Sequence, residues 1–134
     1  METLVAPRVG RRQLSLDRTP DAPRLARAQV AAVCADFPAE MRDNAVLLTS
    51  ELVSNAIKHG RGQISLDLEW DVDEVHVHVH DTGTKPIVMA PDWDLGAASG
   101  RGLQLVAALA TAWGVEHRND GRGKVVWFRL HRQR

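Results

Sequence analysis

Two runs of strict alternation, three residues apart, limit what this chain can fold into. Ile64, Leu66, Leu68 and Trp70 alternate with Ser65, Asp67 and Glu69, and after Asp71-Val72-Asp73 the pattern resumes. Val75, Val77 and Val79 then alternate with His76, His78 and His80, ending at Asp81. Successive side chains of a strand point to opposite faces, so each run predicts a half-buried strand with one apolar side. The short polar gap predicts an antiparallel hairpin whose apolar face needs a covering layer. The valines claim that covered face and leave the three histidines outward. Two readings fit those histidines: a solvated polar face, or an i, i+2 pair chelating a metal.

The covering layer is legible upstream. Leu47 to His59 reads as the second half of a helix, and Gly60 as its stop. That helix begins near Pro38. A first helix is predicted from Thr19-Pro20-Asp21, with Thr19 as N-cap and Pro20 at the first helical position, through Leu25, Ala28, Val33 and Cys34. Gln13 to Arg18 reads as a short strand, and residues 1–12 as a loose tail before a single domain over 13–134. Residues 82–99 lack any period and carry Gly83, Pro86, Pro91 and Gly96, the composition of a functional lid. Gly100-Arg101-Gly102 opens an amphipathic helix expected to run to Trp113, with Gly114 as its stop. A last hairpin follows around Asp120-Gly121-Arg122-Gly123. The order βααββ, lid, αββ predicts an α+β fold: a two-layer sandwich with a mixed sheet and helices on one face.

Composition narrows the function classes. Among 134 residues, seventeen basic side chains balance seventeen acidic ones, so no global field favours nucleic acid or an anionic membrane. Four Trp and two Phe with no Tyr leave few stacking platforms for a single strand. One cysteine, Cys34, excludes an internal disulfide and fits a small buried hydrophobe in a reducing cytoplasm. No run approaches a membrane span, and the first ten residues lack the apolar core of a signal peptide. The expectation is a cytoplasmic protein without direct contact to nucleic acid or membrane.

Three places carry chemistry. Glu51 and Asn55 stand four apart, so a helix projects both from one face, beside the apolar seam of Leu48 and Leu52. Such groups need partners. They are either a structural pair that hydrogen-bonds within the core, or a carboxylate base beside an amide oxygen for a hard cation. Asp81-Thr82-Gly83 ends a buried strand with an acid, and the glycine permits close backbone approach by a planar ligand; a plain turn with Asp as local cap also fits. Gly100-Arg101-Gly102 at a helix start presents free N–H groups and a positive dipole end, suited to phosphate, although a hinge has the same composition. Neither Gly121-Arg122-Gly123-Lys124 nor this segment completes a P-loop or a dinucleotide fingerprint.

In order along the chain, these three places resemble the boxes of the Bergerat-fold (GHKL) ATPases. Glu51-Leu52-Val53-Ser54-Asn55-Ala56 resembles the N box, Asp81-Thr82-Gly83 the first glycine box, and Gly100-Arg101-Gly102-Leu103 the second. The likeness spans about residues 12–131 and is greatest to the small single-domain anti-sigma-factor serine/threonine kinase branch. It implies ATP and Mg²⁺ as cofactors. By the same resemblance, Glu51 is the catalytic base, Asn55 the metal ligand through its amide oxygen, and Asp81 the acceptor for the adenine amine. Gly83 packs under the ring. Gly100, Gly102 and Leu103 belong to the phosphate cradle, with Arg101 near the terminal phosphate. One departure stands out: many relatives carry a Thr on the late strand near the base, and Gly123-Lys124-Val125-Val126 offers none.

The function this implies is an ATP-binding anti-sigma factor that phosphorylates an anti-anti-sigma protein and thereby regulates transcription. Its partners are then a sigma factor, that antagonist, and a second copy in a homodimer, for which Val125 and Trp127 on the outward sheet face supply apolar area. Two alternatives share the fold: an ATP-binding regulatory module without transfer activity, and the catalytic domain of a histidine kinase acting on a separate chain. The last needs a phospho-acceptor helix pair that this sequence does not contain.

Overall fold

The computed structural model describes residues 9–83, 98–118 and 123–133, with the side chains of 98–102 outside that description. Residues 84–97 of the lid expected over 82–99, the first eight residues, the hairpin tip at 119–122 and the last residue therefore lie outside the described residues. The elements are β1 (Gly10–Leu16), α1 (Ala22–Val33), α2 (Ala39–His59), β2 (Ile64–Trp70), β3 (Glu74–Asp81), α3 (Ala98–Leu109), β4 (Ala112–His117) and β5 (Lys124–His131). Their order is the expected one. The five strands form one sheet in the order β1-β2-β3-β5-β4. Every pairing is antiparallel, so the sheet is not mixed as the sequence suggested. All five strands meet their neighbours through hairpins or long returns, and none needs a parallel crossover.

Alternation sets the two faces as expected. Ile64, Leu66, Leu68, Val75, Val77 and Val79 are buried under the helices, together with Val126, Phe128 and Leu130 of β5. Helix α2 contributes Leu48, Leu52, Val53 and Ala56 to the same core, and α3 contributes Leu103 and Val106. The histidines lie on the opposite face. His76 Nε2 is 3.1 Å from Glu74, His80 Nε2 is 3.0 Å from Asp67, and His78 stacks on Trp127. Partial burial lowers the pKa of His78, and its neighbours His80 and His76 push the same way against the opposing pull of Glu69 and Asp67. Among the described residues no group of three or more His, Cys, Asp or Glu side chains is arranged to hold a metal.

Three boundaries differ from the sequence reading. Strand β1 starts at Gly10 rather than in the thirteenth residue, because its whole length pairs with the seven residues of β2. Helix α1 starts at Ala22 with Asp21 as N-cap, and Pro23 is the proline in its first turn. Thr19 instead accepts from the Ala22 N–H at 3.1 Å, closing a turn ahead of the helix. The buried stripe of α1 is Ala22, Ala26 and Val30, while Leu25 is exposed. Helix α3 ends at Leu109, and Trp113 and Gly114 belong to β4. The Thr111 N–H donates to Arg129 O at 2.8 Å and starts the pairing with β5. Gly114 lies against the Trp127 indole, which fills the space a side chain would need.

Cys34 is buried at the end of α1, and burial pushes its thiol pKa up to about 12. A thiol so placed packs and does not react. No helix among the described residues is long and apolar enough to cross a membrane.

Candidate active site

The end of α2 and the end of β3 meet. Arg18, just past β1, caps the last turn of α2: its guanidinium donates to Ala56 O at 2.8 Å, to Gly60 O at 3.0 Å and to Ile57 O. A cation on the final carbonyls satisfies acceptors the helix leaves open and suits the negative end of its dipole. Gly60 ends the helix as expected, with its N–H still bonded to Ala56 O. Arg61 O then accepts from both the N–H and the hydroxyl of Thr82, at 2.9 and 2.8 Å. These bonds tie the segment after α2 to the segment after β3.

Asp81 sits inside that junction. It is buried, although it ends a strand. Its Oδ1 accepts from the Gly83 N–H at 2.6 Å and from Lys124 Nζ at 3.0 Å. The carboxylate lies so close to Gly60 that a Cβ there would come within 2.6 Å of Asp81 Cγ and 2.7 Å of Oδ2. Gly83 has the same constraint, since a Cβ would meet Asp81 Oδ1 at 2.9 Å and Lys124 Nζ at 3.1 Å. Two glycines thus let the backbone close on one ion pair with no room for a side chain. Asp81 and Lys124 also border a cavity of about 240 Å³ at this end of the sheet, which Gln13, Ser65 and His80 line from the outward face and which does not include Glu51, Asn55 or Gly83.

Glu51 and Asn55 occupy one face of α2, two turns and one turn before its end respectively. Asn55 is buried and Glu51 half-buried, next to the buried Leu48 and Leu52. Among the described residues, neither the Glu51 carboxylate nor the Asn55 carboxamide makes a hydrogen bond. The reading in which the two satisfy each other within the core therefore has no bond to support it. His59, in the last turn, is exposed. Gly100, Arg101, Gly102 and Leu103 fall within α3, which starts two residues before the first of these glycines. Of the two glycines, only Gly100 falls among the four N-terminal residues whose N–H groups lack an intrahelical acceptor. Leu103 is buried in the core, which makes it a packing residue of this segment. The side chain of Arg101 lies outside the described residues.

The structure thus gathers Asp81 and Gly83 in one junction and holds Glu51 and Asn55 on the helix leading into it. The second glycine segment opens α3, which packs on α2. Two residues of the junction went unassigned by sequence reasoning, Lys124 and Gly60. Lys124 had a signal: it shares the parity of Val126, Phe128 and Leu130, which places it on the covered face. Gly60 had only its role as a helix stop.

The profile of the histidine kinase-like ATPase domain matches residues 16–130. The chain belongs to that family. A histidine kinase-like ATPase domain implies an ATP site, and the three expected boxes all lie inside the matched span. No curated protein matches the sequence. Among solved structures, the domain is similar to the RsbU and RsbW domains of Rv1364c from Mycobacterium tuberculosis, at a TM-score of 0.65 and 22% identity. The match covers 90% of this chain and 31% of that one, so this histidine kinase-like ATPase domain spans about a third of the solved protein. A likeness at that identity speaks for the sandwich and its connectivity.

Proposed function

We propose that this ATPase domain is a serine/threonine-protein kinase and anti-sigma factor: it phosphorylates a small anti-anti-sigma protein and holds a sigma factor inactive. The observation that carries the reading is the Glu51/Asn55 pair on α2, which has no hydrogen-bond partner among the described residues, beside a junction built around a buried carboxylate. Half-buried and buried polar groups without protein partners suit groups whose partners arrive with substrate. The motif context, Ser-Glu-Leu-Val-x-Asn-Ala followed by Ser-Gly-Arg-Gly-Leu, points to the anti-sigma branch.

In this reading Asp81 accepts from the exocyclic amine of adenine, and Gly83 keeps a side chain out of the way of that carboxylate. The carboxamide oxygen of Asn55 is a hard donor that suits Mg²⁺, and no protein donor competes for it among the described residues. When bound, the ion neutralises phosphate charge. Glu51 takes the proton of the acceptor serine hydroxyl as the serine oxygen bonds to the γ-phosphorus, and the bond from that phosphorus to the bridging oxygen breaks to release ADP. The work of the chain is positioning and proton acceptance, which suits phosphoryl transfer.

The test is a pair of variants. Glu51→Gln keeps volume and helix propensity, so Mg²⁺-ATP affinity should stay near wild type while transfer to the serine acceptor falls about 10²–10⁴-fold. Asn55→Ala should weaken Mg²⁺-ATP binding itself. Unchanged transfer by Glu51→Gln would make the pair structural and leave a nucleotide-binding regulatory module as the better description.

A further inference from the structure

Lys124 is the odd residue of the covered face. Its side chain is 3% exposed, on a strand whose other inward positions are Val126, Phe128 and Leu130. An ammonium carries three N–H donors, and a buried one needs acceptors for them. Among the described residues its acceptor is Asp81 Oδ1, at 3.0 Å. Among the described residues its other two donors have no acceptor, and the ammonium lies 3.1 Å from where a Cβ on Gly83 would stand. A lysine placed only to neutralise Asp81 would be expected to spend its remaining donors on protein oxygens.

We propose that Lys124 is a base-binding residue: it donates to ring nitrogen N1 of the adenine whose amine Asp81 accepts. The inference rests on the ATP-binding reading above. On the edge of a 6-aminopurine, the acceptor N1 and the donor amine nitrogen are both bonded to C6, so they stand side by side. The protein offers an ammonium and a carboxylate in matching adjacency, held 3.0 Å apart. The ion pair fixes the lysine before the base arrives, so little side-chain freedom is lost on binding. A 6-oxopurine offers the same two groups in swapped order, so deleting N1 alone isolates what Lys124 contributes.

The experiment compares ATP with 1-deaza-ATP, in which N1 is replaced by C–H, using calorimetry with Mg²⁺ present. Wild type should bind ATP about tenfold or more tightly than 1-deaza-ATP, as expected for a lost hydrogen bond to a charged donor. Lys124→Met should bind the two equally, and Lys124→Arg, which keeps a charged donor, should retain part of the preference. The wild-type comparison needs no variant, so an unfolded Lys124→Met leaves the test intact. Equal wild-type affinity for both nucleotides, or a preference that survives in Lys124→Met, would overturn the inference and leave the ATP site standing. Failure of wild type to bind ATP at all would overturn both.

Discussion

Removing Lys124 should be costly even with no nucleotide present, and the structure sets the size of the effect. The side chains of Lys124 and Asp81 are 3% and 2% exposed, and their charged atoms are 3.0 Å apart. An exposed pair of this geometry contributes about 0–1 kcal/mol. A buried pair that loses one partner costs about 3–5 kcal/mol, because the charge left behind is uncompensated. Asp81 would keep the Gly83 N–H at 2.6 Å, which places Lys124→Met toward the lower end, about 3 kcal/mol. Against a domain stability of about 5–15 kcal/mol, that is a large fraction. Urea unfolding of wild type, Lys124→Met, Asp81→Asn and the double variant measures it. The double variant removes both charges, so it should be clearly more stable than the sum of the single losses implies, with a coupling of about 2 kcal/mol. A Lys124→Met variant within about 1 kcal/mol of wild type would refute the premise that this pair is closed off from water.

Three further outcomes are expected. Asp81→Asn should bind ATP roughly tenfold or more weakly in calorimetry, because a charge-assisted acceptor for the adenine amine is lost; equal affinity would remove Asp81 from the site. His78 should titrate below 6.5 by NMR, since burial disfavours its charged form. Its folded pKa is then below its unfolded one, so the unfolded chain binds more protons: the contribution is complete above pH 6.5 and is lost as pH falls through the folded value. His78→Gln should flatten that part of the pH dependence in urea midpoints, and an unchanged slope would assign it elsewhere. The chain should sediment as a homodimer at tens of micromolar, with Trp127→Ser shifting it toward monomer; a wild-type monomer would leave the outward sheet face without that role.

The elements that read correctly from sequence are those whose period is long and whose surroundings are simple. The β2–β3 hairpin and the second half of α2 needed only alternation and helical spacing, and their burial follows residue by residue. The end of α3 did not, because Leu105, Leu109 and Trp113 keep a four-residue spacing that a helix would also show. What decides there is the pairing of Trp113 with Phe128 on a strand far along the chain. The start of α1 was ambiguous for a local reason: Pro20 and Pro23 both suit a first turn, and only the bond from Ala22 to Thr19 separates them. Motif spacing singled out Glu51, Asn55, Asp81 and Gly83 as candidates, and the structure puts the last two in one junction. The approach of Gly60 to the Asp81 carboxylate is tertiary and left no local trace. Lys124 did leave one, a charge at an inward position of an alternating strand.

Among the described residues the sheet has two open edges, β1 and β4, where another strand could pair. Both are defended. Arg11 and Arg12 stand exposed near the start of β1, and Glu116 and His117 at the end of β4. Charges in those places penalise a neighbouring strand that would have to cover them, which is how natural sheets avoid growing into fibres. Continuous sheets across two copies are therefore disfavoured at both margins. A second copy, if the expected homodimer forms, would then meet the broad histidine-bearing face, where contact depends on side chains.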